Sequence, residues 1–151
     1  MKKEFRPSWD EYFLDIALLV AKRSTCLRRC YGAVIVKDNI IVSTGYNGAA
    51  RGEPNCIDTG QCLREQYNVP PGERYELCAA VHAEQNAIIA GDPMKMRKAT
   101  IYVAGYARNG TQASAEPCLL CRRMIKNAML KRVVYLDDKG EKKNIRFGTP
   151  D

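Results

Sequence analysis

His82-Ala83-Glu84-Gln85-Asn86-Ala87 and, further along, Pro117-Cys118-Leu119-Leu120-Cys121 decide how this chain is read. The first stretch offers an imidazole with a carboxylate two positions on. The second offers two thiols three positions apart, just after a proline. Zinc accepts such nitrogen and sulfur donors in a tetrahedron, and a catalytic zinc keeps its fourth position for water. The predicted ligands are therefore His82, Cys118 and Cys121. Two cysteines at a helix start project from one turn, where the helix N-terminus favours thiolate. Glu84 is placed to reach the water without displacing it, so it is the predicted proton carrier. A structural zinc site normally closes with a fourth protein ligand and has no use for that carboxylate. His82 is also the only histidine in the chain, so no other imidazole competes for the role.

The surrounding pattern sets the fold class. Ser8 and Glu11 predict a capping box, and Trp9, Tyr12, Phe13, Ile16, Leu19 and Val20 predict a buried helical stripe through about Lys22. Residues 33–36 and 40–43 read as strands joined by the turn Lys37-Asp38-Asn39. Residues 45–76 are rich in Gly, Pro, Asn and charge without periodicity, which predicts a functional or metal-organised loop. A helix over 77–90 ends at Gly91-Asp92-Pro93, and a strand over 100–103 leads into a polar loop, 105–116. A further helix begins at Pro117, with Leu120, Met124, Ile125 and Ala128 as its apolar face. Strands over 132–136 and 144–147 flank the turn Asp137-Asp138-Lys139-Gly140. The order αββαβαβ(β) predicts an α/β fold with a mixed sheet of about five strands between helices. Residues 1–151 read as one domain.

Composition narrows the partners. Apolar residues make up 46% of the chain, which excludes disorder, and 24 basic against 17 acidic residues leave a net charge of +7. That sign suits a polyanionic partner or a phosphorylated small substrate. The basic residues Arg122, Arg123, Lys126, Lys131 and Arg132 are not interleaved with aromatics as a strand-binding groove needs, so nucleic acid is not the expected partner. The longest apolar run, 16–21, is too short for a bilayer, so no membrane is expected either. Met1-Lys2-Lys3 is followed by Glu4, Arg6 and Pro7 where a leader would turn apolar. Seven cysteines, an odd number, then predict reduced thiols and metal in a cytoplasmic protein rather than a disulfide framework.

The H-x-E…P-C-x-x-C arrangement is that of zinc deaminases acting on nucleobases. The chain resembles the deoxycytidylate (dCMP) deaminases of the cytidine deaminase superfamily over nearly its whole length. Ser8-Trp9-Asp10-Glu11-Tyr12-Phe13, Arg23-Ser24-Thr25-Cys26, Gly32-Ala33-Val34-Ile35-Val36 and Gly45-Tyr46-Asn47-Gly48 carry the resemblance, with the two metal motifs. It implies a three-layer cytidine deaminase-like fold and zinc-dependent hydrolysis of a cytosine nucleotide, dCMP to dUMP, which feeds thymidylate synthesis. It implies that Asn47 hydrogen-bonds the sugar and that the backbone at Ala83 helps read the base. It further implies a homo-oligomer, commonly hexameric, with trimeric and dimeric relatives. Asn47 also reads on its own as a turn asparagine between Gly45 and Gly48.

Cys26, Cys56, Cys62 and Cys78 fall in or beside loops and bracket the irregular segment, whose missing core a second, structural zinc would replace. In the family resembled, cysteines matching Cys26 and Cys56 serve such a site. Cys30, which precedes a strand, reads as a plain buried cysteine. Three departures from the family pattern bear on which nucleotide is taken and on regulation. They are the insertion at 105–116, the segment Asp137-Asp138-Lys139-Gly140 where the family carries a tyrosine, and an end soon after Phe147. Other readings stay open: a different (deoxy)cytidine nucleotide, adenosine in transfer RNA, or a zinc-stabilised binding module without catalysis. Transfer-RNA enzymes lack the Gly-Tyr-Asn-Gly loop and the cysteine-rich insertion, and Glu84 argues against the module.

Overall fold

The computed structural model describes residues 5–148. Ser8 opens the first helix, α1 (Trp9–Ala21): its hydroxyl accepts from Glu11 N at 3.2 Å while the Glu11 carboxylate returns to Ser8 N at 3.4 Å. Two strands follow, β1 (Arg29–Lys37) and β2 (Ile40–Tyr46), antiparallel through a tight turn in which Asp38 and Asn39 both take positive φ. That is the turn geometry Asp and Asn tolerate best after glycine. Two-residue strands β3 (Gly48–Ala49) and β4 (Ala80–Val81) pair with each other and pin both ends of the irregular segment. Between them lie single-turn helices α2 (Cys56–Thr59) and α3 (Leu63–Gln66), then a 3₁₀ turn at Tyr75–Leu77.

The chain continues through α4 (Ala83–Ala90), the short α5 (Pro93–Met96), β5 (Thr100–Ala107), α6 (Leu119–Asn127), β6 (Arg132–Leu136) and β7 (Lys142–Arg146). The main sheet runs β2-β1-β5-β6-β7, antiparallel except for the parallel pair β5–β6. Alternation sorts its residues between two layers. Val34, Val36, Tyr102, Ala104 and Val134 face α1, while Ala33, Ile35, Ile101, Val103 and Val133 face α4 and α6. This is the α/β sheet between helices that the pattern predicts. Among the described residues no helix is long and apolar enough to cross a membrane.

The expected elements are corrected in four places. The helix expected over 77–90 begins only at Ala83, because residues 75–81 spend their hydrogen bonds on the 3₁₀ turn and on β4. The strand expected over 100–103 runs on to Ala107, paired along its whole length with β1, so the polar loop starts later than the sequence indicates. Pro117 lies before the cap of α6, which is Cys118, and the side chains α6 buries are Cys121 and Ile125 while Leu120 is exposed. The face α1 buries is Phe13, Leu14, Ala17 and Ala21, whereas Trp9, Tyr12 and Leu19 remain in solvent. The reason lies at Gly32. A Cβ there would run into the carbonyl of Ala17, so α1 meets β1 backbone to backbone at Ala17 and Ala21, while Phe13 packs on Tyr102 as the stripe predicts.

Asp10 ties the first helix turn to the far side of the sheet. Its carboxylate accepts from Tyr102 Oη at 2.7 Å, Arg132 Nη2 at 2.7 Å and Lys142 Nζ at 3.2 Å, joining α1 to β5, β6 and β7. Burial works against its charge, but those hydrogen bonds prevail and hold the Asp10 carboxyl below the usual carboxylate range. A depressed folded-state pKa contributes stability that is complete above the unfolded value, about 4, and is lost as pH falls through the lower folded value. Asp10→Asn is expected to cost about 2–3 kcal/mol in urea unfolding at neutral pH. It is also expected to flatten the loss of stability below about pH 4 that the native chain shows. Equal acid slopes in the two proteins refute this account of Asp10.

Candidate active site

His82 is the residue before α4, and Gln85 holds it there by accepting the His82 N–H at 3.0 Å. Cys118 holds the same place before α6, its Sγ accepting from Cys121 N at 3.5 Å. Two helix N-termini are thus brought side by side at one end of the sheet. His82 Nδ1 faces Cys121 Sγ at 3.2 Å and Cys118 Sγ at 3.6 Å. The donor atoms of the three residues all lie within 4.8 Å of one another, the one such group among the described residues.

Their electrostatics describe a site made for a cation. The Cys121 thiol and, after burial has opposed it, the His82 ring pull the Cys118 thiol down to about 4. Cys121 is pushed up, first by the hydrogen bond to Cys118 and then by burial. A divalent ion between the two sulfurs would hold both as thiolates. Donor type and spacing fit zinc. Glu84, 7% exposed in the first turn of α4, stands beside this trio, and burial pushes its carboxyl up, toward the range in which an acid can both hold and give a proton.

His82, Cys118 and Glu84 border a cavity of about 350 Å³, while Cys121 is fully buried behind them. Asn47 and Ala83 border it too, both almost fully buried. The Asn47 amide is already half engaged: Oδ1 accepts from Tyr31 N at 2.8 Å and Nδ2 donates to the Arg29 carbonyl at 2.9 Å. It fixes the entry of β1, and one N–H and one lone pair remain for a ligand. Cys26, Cys62 and Cys78 line the same cavity from the irregular segment and the loop before β1. They stand near Cys56, whose thiol is pushed up by burial and then by the charges of Cys26, Cys78 and Cys62. No disulfide joins them, and no three of the four bring their sulfurs within 4.8 Å of one another.

The insertion at 105–116, which the sequence ties to the choice of nucleotide, does reach the site: Ser114, Ala115 and Glu116, the end of the loop after β5, form part of the cavity wall. That loop is tied down at both ends. Arg108 donates to the carbonyls of Cys26 at 2.9 Å and Ser24 at 2.8 Å, and Glu116 pairs with Arg122 of α6 at 2.6 Å. Tyr31 and Tyr75 add aromatic walls, with Tyr75 edge-on to the His82 ring at 5.3 Å. The bulk of Tyr31 leaves no room for a Cβ on Gly105. Arg108, Tyr31 and Tyr75 escape the sequence reading: none sits in a motif, and only the three-dimensional fold brings them to the site.

A family model described as the cytidine and deoxycytidylate deaminase zinc-binding region matches residues 7–137. The chain is 41% identical over 135 residues to the deoxycytidylate deaminase of Mycobacterium phage D29, across 86% of this chain and 95% of the phage protein. It is 39% identical over 135 residues to the deoxycytidylate deaminase of Schizosaccharomyces pombe, across 87% of this chain but only 38% of that longer protein. The solved dCMP deaminase of cyanophage S-TIM5, in complex with dCMP and dUMP, is similar in fold. It has a TM-score of 0.60 at 26% identity over 87% of this chain and 83% of that one.

Replacing Cys118 with Ser is expected to remove the metal held by the trio, whereas Glu84→Gln leaves it bound, since the carboxylate is not a donor. Elemental analysis of the purified variants separates the two. Turnover in Glu84→Gln is expected to fall by about 10²- to 10⁴-fold, the usual contribution of a general acid–base group. Near-native turnover in that variant removes Glu84 from the chemistry.

Proposed function

The chain belongs to the cytidine and deoxycytidylate deaminase zinc-binding family, and from that premise we propose that it hydrolyses dCMP to dUMP and ammonia. One observation carries the reading: a buried carboxyl, Glu84, beside a His-Cys-Cys trio of which His82 and Cys118 open on a cavity of nucleotide size. The deoxycytidylate relatives support the choice of substrate, and the net charge of +7 favours an anionic one.

His82, Cys118 and Cys121 hold the zinc. Zinc bound there supplies an activated water near neutral pH. Glu84 moves the protons. It accepts one from the water as oxygen bonds to C4 of the cytosine, and delivers it to ring N3. It then takes the remaining proton from that oxygen and gives it to the exocyclic amine. The C4–N bond breaks, ammonia leaves, and C4 keeps its oxygen as the uracil carbonyl. The raised Glu84 carboxyl suits both halves of this exchange. Ala83, first in α4, offers a backbone N–H that the helix itself does not use, directed to the base. Asn47 offers its remaining N–H and lone pair to the sugar.

Cys26, Cys56, Cys62 and Cys78 hold a second, structural zinc. What supports this is their grouping around Cys56 and the lack of a buried residue in α2 or α3, which leaves the segment without a core of its own. Sites built on thiolates work where thiols stay reduced, so the proposal includes a cytoplasmic setting. It also includes a homo-oligomer, whose contacts would cover the apolar side chains that α1 and α6 leave in solvent, Trp9, Leu19 and Leu119.

The test of the reaction is ammonia release across cytidine and deoxycytidine carrying none to three phosphates, with transfer RNA alongside. The expected result is a maximum at dCMP and none on RNA. A maximum at any other nucleotide replaces the substrate, and a metal-replete protein inert on all of them refutes the reaction. The second metal has its own measurement. The native chain is expected to carry two zinc ions, and Cys56→Ala one, with a lower melting temperature. One zinc in the native chain, with those four thiols open to a thiol reagent, refutes the structural site.

A further inference from the structure

We propose that Arg64 selects the phosphorylated nucleotide, its guanidinium receiving the 5′-phosphate of the substrate. This rests on the nucleotide-deaminase reading above and assigns to one residue the choice between nucleotide and nucleoside.

Arg64 sits on α3 and lines the same cavity as His82, Glu84 and Cys118. Its guanidinium lies over the ring of Tyr75, 4.9 Å from the centroid. Tyr75 in turn stands edge-on against the His82 ring at 5.3 Å and 87°. The cation is therefore two ring contacts from a metal ligand, within the span of one nucleotide whose base is held at the metal. Nη2 donates to the Pro70 carbonyl at 3.0 Å, which fixes the plane of the group. Nε is buried and has no acceptor, the one such side-chain nitrogen or oxygen among the described residues.

A buried donor left without a partner costs about 1–3 kcal/mol, and more when it is charged. A chain retains such a group when something outside the fold pairs with it. Among the described residues no carboxylate forms an ion pair with Arg64; of the other cations lining the cavity, Arg28 is already neutralised by Glu65 at 3.0 Å, and Arg29 is exposed to solvent at the start of β1. What the site lacks is an anion with several acceptor oxygens. A phosphate meets the planar fork of a guanidinium with parallel hydrogen bonds, and stacking on Tyr75 pre-orders that fork.

The experiment compares native protein, Arg64→Gln and Arg64→Lys, each with its zinc, on two pairs of ligands. kcat and KM are measured for dCMP and deoxycytidine. Binding of the products dUMP and deoxyuridine is measured by calorimetry, which needs no turnover. Arg64→Gln keeps an unbranched polar side chain but removes the charge and the guanidinium that lies over Tyr75. It is expected to raise KM for dCMP and weaken dUMP about 10- to 100-fold, the range set by a charge-assisted hydrogen bond. Values for deoxycytidine and deoxyuridine stay within about twofold of native. Arg64→Lys, a point charge without the fork, falls between.

Equal losses on phosphorylated and unphosphorylated ligands overturn the proposal, since they mean Arg64 only supports the fold. A native protein that binds dUMP no tighter than deoxyuridine overturns it as well. Tight, Arg64-dependent binding of dUMP by a native protein that deaminates neither substrate leaves Arg64 standing and refutes the deaminase reading.

Discussion

Both faces of the main sheet are covered by helices that touch it backbone to backbone, and the rest of the molecule depends on that contact. At Gly32 a Cβ would strike α1; at Gly45 one would strike the Ala83 carbonyl and the Ala87 N–H of α4. Hydrogen bonds lock the second contact: Ser43 Oγ donates to the Ala87 carbonyl at 2.6 Å and Asn86 Nδ2 to the Tyr46 carbonyl at 2.8 Å. Helix α4 can neither slide nor lift without losing the buried Ser43 bond and the Asn86 bond beside it. Its first turn, which carries Ala83 and Glu84 and follows His82, is fixed relative to β2 with the same precision.

The parallel pair β5–β6 brings the other half of the site to the first. A parallel pairing requires a crossover, and α6 is that crossover, so its N-terminus opens at the same end of the sheet as the N-terminus of α4. Buried Cys121 and Ile125 root α6 in the layer it shares with α4. Arg28, Arg64 and the cysteines Cys26, Cys62 and Cys78 reach the cavity from the loop before β1 and the irregular segment. Preorganisation of this kind is what acid–base and metal chemistry need, since sub-ångström placement of donors decides their worth.

Much of this was legible in the residues. The β-rich runs, the Asp38-Asn39 turn, the Ser8–Glu11 box and the two metal motifs each act locally, through caps, turns and periodicity. They give the layered mixed sheet and the meeting of His82, Cys118 and Cys121. What escaped depends on contacts distant in sequence. The buried face of α1 was misjudged because Gly32 selects alanines over Trp9 and Leu19. The start of α4 was misjudged because Ala80 and Val81 pair with Ala49 and Gly48 instead of turning helical. Arg108, an ordinary loop arginine by sequence, holds the carbonyls of Ser24 and Cys26 only because β1 and β5 pair as far as Arg29 and Ala107. Arg64 carries no local signal whatever.

The small ladder β3–β4 has a consequence for how such a chain can change over generations. It ties residues 48–49 to residues 80–81, so the ends of the intervening segment are held together by the scaffold whatever lies between them. Lengthening a loop whose ends are already closed costs only about 0.6 kcal/mol for each doubling. The segment is in effect an interchangeable cassette. With Cys56, Cys62 and Cys78 kept, it can be lengthened, shortened or given different side chains toward the cavity while the sheet and both capped helices stay where they are. Diversity of ligand can therefore accumulate in one stretch of chain without putting the chemistry at risk.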